Sequence, residues 1–335
     1  MGRLSGKSSF ILDESIVVIH SYTRTHLFAV MSVRMVRKKH KEPIMKNLKD
    51  KVAVITGGSS GIGFGISKAL AKEGVNLVIS SRNPEKDSKA ASQLAGLGVR
   101  TSAFECDVTD RKSIEKLADH AWSEFGHVDL IFNNAGVMNG DASTLIEAKE
   151  EDFRWLLETN LIGTWNGCSV FGRRFIEQGT PARIVNTASE NSLYAALPLY
   201  GFYVATKHGI LGMSDTLRLE LPDFITPSVL CCGLVTTNLA HAEEERPECF
   251  GGPRVSKSLE FAEKVMQMGM SADQVGQLAV EGVKRGDFYI VTHPHNRDYI
   301  ANRYEEILKA YDTYAPRFED DEKYDVQKIF ARLMS

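Results

Sequence analysis

From residue 52 onward, short runs of β-branched and other apolar residues alternate with longer stretches whose apolar positions recur at helical spacing. Val52–Thr56, Val75–Ser81, Thr101–Cys106, Val128–Asn133, Arg183–Ala188, Ser228–Cys232 and Phe288–Thr292 are the short, turn-bounded runs expected of buried strands. Between them, Ile62–Glu73, Arg111–Phe125, Phe153–Glu177 and Tyr203–Leu221 have the length and period of helices. Strand then helix, repeated, predicts an α/β fold: a doubly wound, mostly parallel, seven-stranded sheet covered on both faces by right-handed crossovers. In such a sheet the ligand crevice opens at the carboxyl ends of the strands.

Three segments depart from the alternation. Residues 1–45 carry a basic cluster (Arg34, Arg37, Lys38, Lys39, Lys41) and two apolar stretches broken by Asp13, Glu14, Arg24 and His26. Two readings stand: an Arg-rich targeting segment, or an extension, disordered or outside the fold, preceding a working protein that begins at Met45. Either way the folded domain is expected over 46–312. Within it, residues 238–270 open with charged Glu243, Glu244, Glu245 and Arg246 and close with Met266, Met268 and Met270. A long insertion at a strand end is commonly a lid; the bland alternative is a solvated excursion. Residues 313–335 read as a C-terminal tail, with Glu319–Glu322 a solvated acidic stretch.

With 335 residues, 43% hydrophobic and 25% charged, the chain can bury a large single core. A formal net charge of -3 gives no global attraction to polyanions, so no nucleic-acid partner is expected and a small molecule is the better ligand. No run of 18 apolar residues appears, so no membrane span is expected. The cysteines (Cys106, Cys168, Cys231, Cys232, Cys249) form no C-x-x-C pair, and none falls with His at zinc-ligand spacing. No metal site is expected, and the thiols read as reduced, in the cytoplasm.

The first strand runs straight into Thr56-Gly57-Gly58-Ser59-Ser60-Gly61-Ile62-Gly63 and a helix. Glycines there let the backbone approach a pyrophosphate while the helix N-terminus offers free N–H groups and partial positive charge. About 20 residues on, where an acidic residue would bind the 2′-hydroxyl of NAD, stands Ser80-Ser81-Arg82-Asn83. With no carboxylate in that run, Arg82 is expected to pair with a 2′-phosphate, which makes NADP(H) the preferred cofactor and leaves NAD(H) open.

Tyr203 and Lys207 stand four apart at the start of a helix and share one face. A tyrosine with an ordinary pKa of about 10 is a poor proton acceptor at neutral pH, and a nearby ammonium is expected to pull that value down. Ser189, ending the preceding strand, can hold a substrate oxygen beside Tyr203.

At this point residues 48 to 300 resemble the short-chain dehydrogenase/reductase family, a Rossmann-type fold. The matching features are the Thr56–Gly63 turn, Asp107-Val108, Asn133-Asn134-Ala135-Gly136, Asn160, Ser189 and the Tyr203/Lys207 pair. The resemblance implies an oxidoreductase interconverting a secondary alcohol and a ketone by hydride transfer. It makes Tyr203 the general acid/base, has Lys207 lower its pKa and bind the nicotinamide ribose, has Ser189 position the substrate oxygen, and gives Asn160 a water relay. It also implies adenine contacts from Asp107 and Val108, and cofactor contacts from Asn134, Ala135, Gly136, Gly233, Val235 and Thr237. Homodimers or homotetramers are usual in the family, built on the Phe153–Glu177 and Tyr203–Leu221 helices. Where the family has Pro-Gly after the sixth strand, this chain has Cys232-Gly233, and a more flexible turn is expected.

A finer likeness is to bacterial dehydrogenases that oxidise benzylic alcohols of lignin-derived aryl ethers. It implies a bulky, partly aromatic substrate walled by Leu193, Tyr194, Leu197, Met266, Met268 and Met270. Other readings are a non-catalytic NADP-binding regulator, an NAD-dependent aryl alcohol dehydrogenase, and a sugar-nucleotide epimerase; the last would carry T-G-x-x-G-x-x-G and a larger C-terminal domain, both missing here.

Overall fold

The computed structural model describes residues 45–194, 197–315 and 317–334. Seven parallel strands form the sheet: β1 (Val52–Thr56), β2 (Asn76–Ser81), β3 (Thr101–Glu105), β4 (Leu130–Asn133), β5 (Ala182–Thr187), β6 (Ile225–Cys231) and β7 (Tyr289–Val291). Their order is β3-β2-β1-β4-β5-β6-β7. β1 pairs with both β2 and β4, so the winding reverses there and a crevice opens at its carboxyl end.

Successive β1 side chains enter opposite layers, as strand geometry requires. Ala53 and Ile55 pack with Ile66 and Leu70 of α1 (Gly61–Lys72), Leu94 of α2 (Pro84–Ala95) and Val275, Ala279 and Val283 of α8 (Ala272–Arg285). Val52 and Val54 face Leu117 of α3 (Arg111–Phe125) and Phe171 and Phe175 of α5 (Gly163–Gln178). Full burial of each of the larger side chains (Val, Ile, Leu, Phe) contributes roughly 1.5–3 kcal/mol. Met45, expected outside the domain, is buried in the first of these layers. The rest of the 1–45 extension lies outside the described residues.

α1 and α8 meet backbone to backbone. A Cβ on Gly65 would lie 2.0 Å from the Ala272 carbonyl oxygen, and one on Gly276 would lie 2.2 Å from the Gly65 carbonyl carbon. Any side chain at either glycine would push the helices apart.

The expected Phe153–Glu177 helix is three pieces: α4 (Glu150–Leu156), one π turn (Leu157–Ile162) and α5. β6 begins three residues earlier than expected and contains Pro227. Its pairing with β7 starts only at Val229, so the proline lies where that edge has no partner strand, and its missing N–H costs no ladder bond there.

The 238–270 insertion holds 3-10 turns at Asn238–Glu245 and Glu248–Phe250, then α7 (Leu259–Gln267). A short parallel ladder pairs Val235 with Met270 and Thr236 with Ser271, closing the insertion's base. The remaining helices are α6 (Gly201–Glu220) and α9 (Arg297–Tyr314). One compact unit ends at Asp312; a second includes the residues from Thr313 on, whose described part holds a 3-10 turn at Asp321–Tyr324 and α10 (Val326–Met334). Among the described residues no helix is long and apolar enough to cross a membrane.

Candidate active site

A cavity of about 990 Å³ opens along the carboxyl ends of the strands. Of the expected catalytic and cofactor-binding residues, all line it except Gly63 and Asn160. Gly57 and Gly61 have φ of +64° and +48°, values that favour glycine. A Cβ on Gly63 would lie 2.0 Å from the Gly57 carbonyl oxygen, so the turn can close only over a glycine. Ser60 caps α1 without a side-chain hydrogen bond, which leaves the helix's leading N–H groups available to an anion. Cradle, free N–H groups and cavity size fit a dinucleotide pyrophosphate. Thr56 Oγ1 accepts from Asn134 N (3.0 Å) and Ala135 N (3.1 Å), tying the ends of β1 and β4 together.

The run Ser80–Asn83 carries no carboxylate, but six residues beyond Ser81 buried Asp87, on the first turn of α2, accepts from Ser81 N (2.7 Å) and Ser81 Oγ (2.7 Å). Arg82 and Lys86 both face the cavity, and both engage Glu245 of the insertion. Asp107 Oδ1 accepts from the main chain (2.9 Å) and hydroxyl (2.8 Å) of Thr109, fixing the turn that presents Val108.

The catalytic-type cluster is built from β5, the π turn and α6. Ser189 Oγ accepts from Asn191 N at 3.2 Å and is hydrogen-bonded to Tyr203. Lys207 is buried, and its Nζ donates to the Thr187 carbonyl at 3.0 Å while lying 5.6 Å from the centre of the Tyr203 ring. Asn160 occupies the π turn, a feature frequent at functional sites. Its Oδ1 accepts from Val137 N (2.8 Å), and its Nδ2 donates to the Val137 carbonyl (2.9 Å) and Thr206 Oγ1 (3.2 Å), locking the loop after β4 onto α6.

The expected lowering of the Tyr203 pKa by Lys207 is corrected. Burial pushes the phenol up to about 12; the Ser189 hydrogen bond opposes the rise, while Cys232 and Glu190 add to it. Burial likewise pushes Lys207 down to about 8. Desolvation is the largest cause of both shifts: Lys207 is buried, and the half-buried Tyr203 is flanked by protein on the cavity wall. Burial therefore favours the protonated phenol at Tyr203.

The Cys232-Gly233 turn, expected to be loose, is clamped. His293 Nδ1 accepts from Gly233 N (3.0 Å), which places the ring proton on Nε2, and Nε2 donates to the Leu234 carbonyl (3.1 Å). Glu190, beside Ser189, lines the cavity and is held by Asn296 Nδ2 at 3.1 Å.

The insertion is pinned by a buried ion cluster. Arg246 Nη1 donates to Asp152 of α4 (2.5 Å) and Glu243 (3.1 Å), and Arg254 reaches the same two carboxylates. Leu197 and Met266 line the cavity as expected, joined by Leu239, Phe261 and Val265. The other expected wall residues do not. Leu193 packs into the core beside Ile210, Tyr194 stacks on Tyr299 at 5.6 Å, Met268 is 80% exposed, and Met270 is drawn into the ladder with Val235.

Residues 51–248 match the short chain dehydrogenase family. The chain is 28% identical over 282 residues to the C alpha-dehydrogenase of Sphingobium sp. strain SYK-6, covering 83% of this chain and 91% of that one. A Burkholderia phymatum short chain dehydrogenase/reductase solved with NAD superposes with a TM-score of 0.74 at 31% identity, over 82% of this chain and all (100%) of that one. An alcohol dehydrogenase from the archaeon Thermococcus sibiricus, solved with 5-hydroxy-NADP, gives a TM-score of 0.60 at 27% identity, over 73% and 96% of the two chains.

Proposed function

The chain belongs to the short-chain dehydrogenase family and is an oxidoreductase acting on alcohol and ketone groups with a nicotinamide cofactor; from that premise we propose that it prefers NADP(H) and interconverts a bulky, partly aromatic secondary alcohol and its ketone. The observation that carries the reading is the convergence of Ser189, Tyr203 and Lys207 on one wall of a cavity whose other end presents Arg82 and Lys86. The bound nicotinamide would supply or accept hydride. In the reductive direction Ser189 orients the substrate carbonyl and protonated Tyr203 delivers the proton to its oxygen; in oxidation the same hydroxyl position takes the proton back. Lys207 keeps its ammonium beside the β5 end by donating to Thr187, and Asn160 holds the floor on which both α6 residues stand.

Leu197, Leu239, Phe261, Val265 and Met266 give the substrate side an apolar lining suited to an aryl group. The similarity to the Sphingobium C alpha-dehydrogenase supports the same class. Exposed Trp165 and Ile176 on α5 and Leu219 on α6 support a homodimer or homotetramer built on these helices. Cys106, Cys168, Cys231, Cys232 and Cys249 are all free thiols, which suits the reducing cytoplasm.

The test is nicotinamide absorbance with NADPH and NADH against aryl, steroid and aliphatic ketones, run beside Tyr203→Phe. Turnover with aryl ketones, favoured by NADPH and absent from the variant, is expected. Tight NADPH binding with no turnover on any ketone or alcohol would return the chain to the regulator reading.

A further inference from the structure

Arg82 and Lys86 are the cations available to a 2′-phosphate at the β2 end of the cavity, and both are already engaged by one residue. The Arg82 Nη2 donates to the Glu245 main-chain carbonyl at 2.9 Å, and the Lys86 ammonium pairs with the Glu245 carboxylate. Glu245 lies 163 residues beyond Arg82, on the 3-10 turn of the insertion, and lines the same cavity. Glu244 flanks it there, and buried Asp87 lies beneath Ser81. Of these carboxylates, the one that engages Lys86 directly is that of Glu245.

We infer that Glu245 is a coenzyme-discriminating residue: its carboxylate takes the place of an anion on Lys86 while its main-chain carbonyl occupies Arg82, so that it competes with a 2′-phosphate for these two cations. This rests on the reading that the Arg82 end receives the adenosine ribose. A 2′-phosphate must displace Glu245 to use Lys86, whereas a free 2′-hydroxyl need not, so the insertion lowers the selectivity for NADP(H) that Arg82 and Lys86 would otherwise give. Both partners of the pair are more than half exposed, which makes the competition modest and sensitive to salt. The contact also links the two ends of the cavity, because the segment that carries Glu245 leads into α7, whose Phe261, Val265 and Met266 line the substrate side.

The test is equilibrium binding of two cofactor fragments, 2′,5′-ADP and 5′-AMP, by calorimetry to the full chain and to Glu245→Gln, Arg82→Ala and the double variant. No turnover is involved. Glu245→Gln is expected to tighten 2′,5′-ADP on the order of threefold, the range of an exposed ion pair, and to leave 5′-AMP within error; the gain should shrink as salt rises. Arg82→Ala should weaken 2′,5′-ADP selectively. If Arg82→Ala does so while Glu245→Gln changes nothing or weakens 2′,5′-ADP, the inference is overturned and the NADP reading stands. If Arg82→Ala leaves 2′,5′-ADP unchanged, the NADP reading fails, and the inference fails with it.

Discussion

The imidazole of His293 accepts the main-chain N–H of Gly233 at 3.0 Å, across 60 residues of sequence, and supplies from outside the turn the rigidity that a proline would supply from within. His293→Ala should leave the Gly233 N–H and the Leu234 carbonyl without their side-chain partner. A loss of about 1–3 kcal/mol in urea unfolding is expected, together with a raised KM for the cofactor and a smaller change in kcat. An unchanged cofactor KM would mean that the clamp serves stability alone.

The pH profile should separate Lys207 from Tyr203. Tyr203 keeps its proton up to about 12, so ketone reduction is not limited by its supply at neutral pH, while alcohol oxidation should climb as pH rises. Lys207 loses its charge above about 8. Reductive kcat/KM should be flat below that value and fall above it. In Lys207→Arg the side chain stays charged, so the inflection should disappear whatever the absolute rate; its persistence would assign the titration to another group.

Arg246 is fully buried and bridges Asp152 to Glu243, with its guanidinium 4.8 Å over the Trp155 ring. Arg246→Ala strands charge in a dry place, and a loss of roughly 3–5 kcal/mol is expected. Limited proteolysis should then cut first within residues 238–270. Cleavage elsewhere at wild-type rates would show that Arg254 alone holds the insertion.

Alkylation of the native chain by iodoacetamide at neutral pH should stop after one thiol. Cys249 is exposed, whereas burial pushes Cys106 up to about 11 and Cys168, Cys231 and Cys232 to about 12. Mass spectrometry that finds a second rapid adduct would contradict the raised pKa of the other four thiols.

What the sequence could disclose follows from distance along the chain. The glycine turn and the Tyr203/Lys207 pair announce themselves because each is a local pattern set by one strand end or one helix face. β6 starts three residues before Ser228 because Pro227, disfavoured in strands by residue type, lies where its edge has no partner, which only the pairing discloses. Asp87, Glu245, His293 and the Arg246–Asp152 pair were missed for another reason. Asp87 is brought back by a helix turn, and the others act across separations of 163, 60 and 94 residues, which no periodicity records. Lys86 alone left a trace, four positions after Arg82 at the head of a helix. The Tyr203 pKa was read with the wrong sign because neighbouring charge is visible in a sequence and desolvation is not.

The glycine contact between α1 and α8 has a consequence for the growing polypeptide. The helix that shapes the phosphate cradle is complete by Lys72, but its backbone partner arrives only with Gly276. At roughly 5–20 residues per second, translation leaves α1 without that partner for tens of seconds. A nascent chain that has finished its nucleotide half therefore still exposes one flank of it, and the seat for the cofactor matures last although its residues are made first.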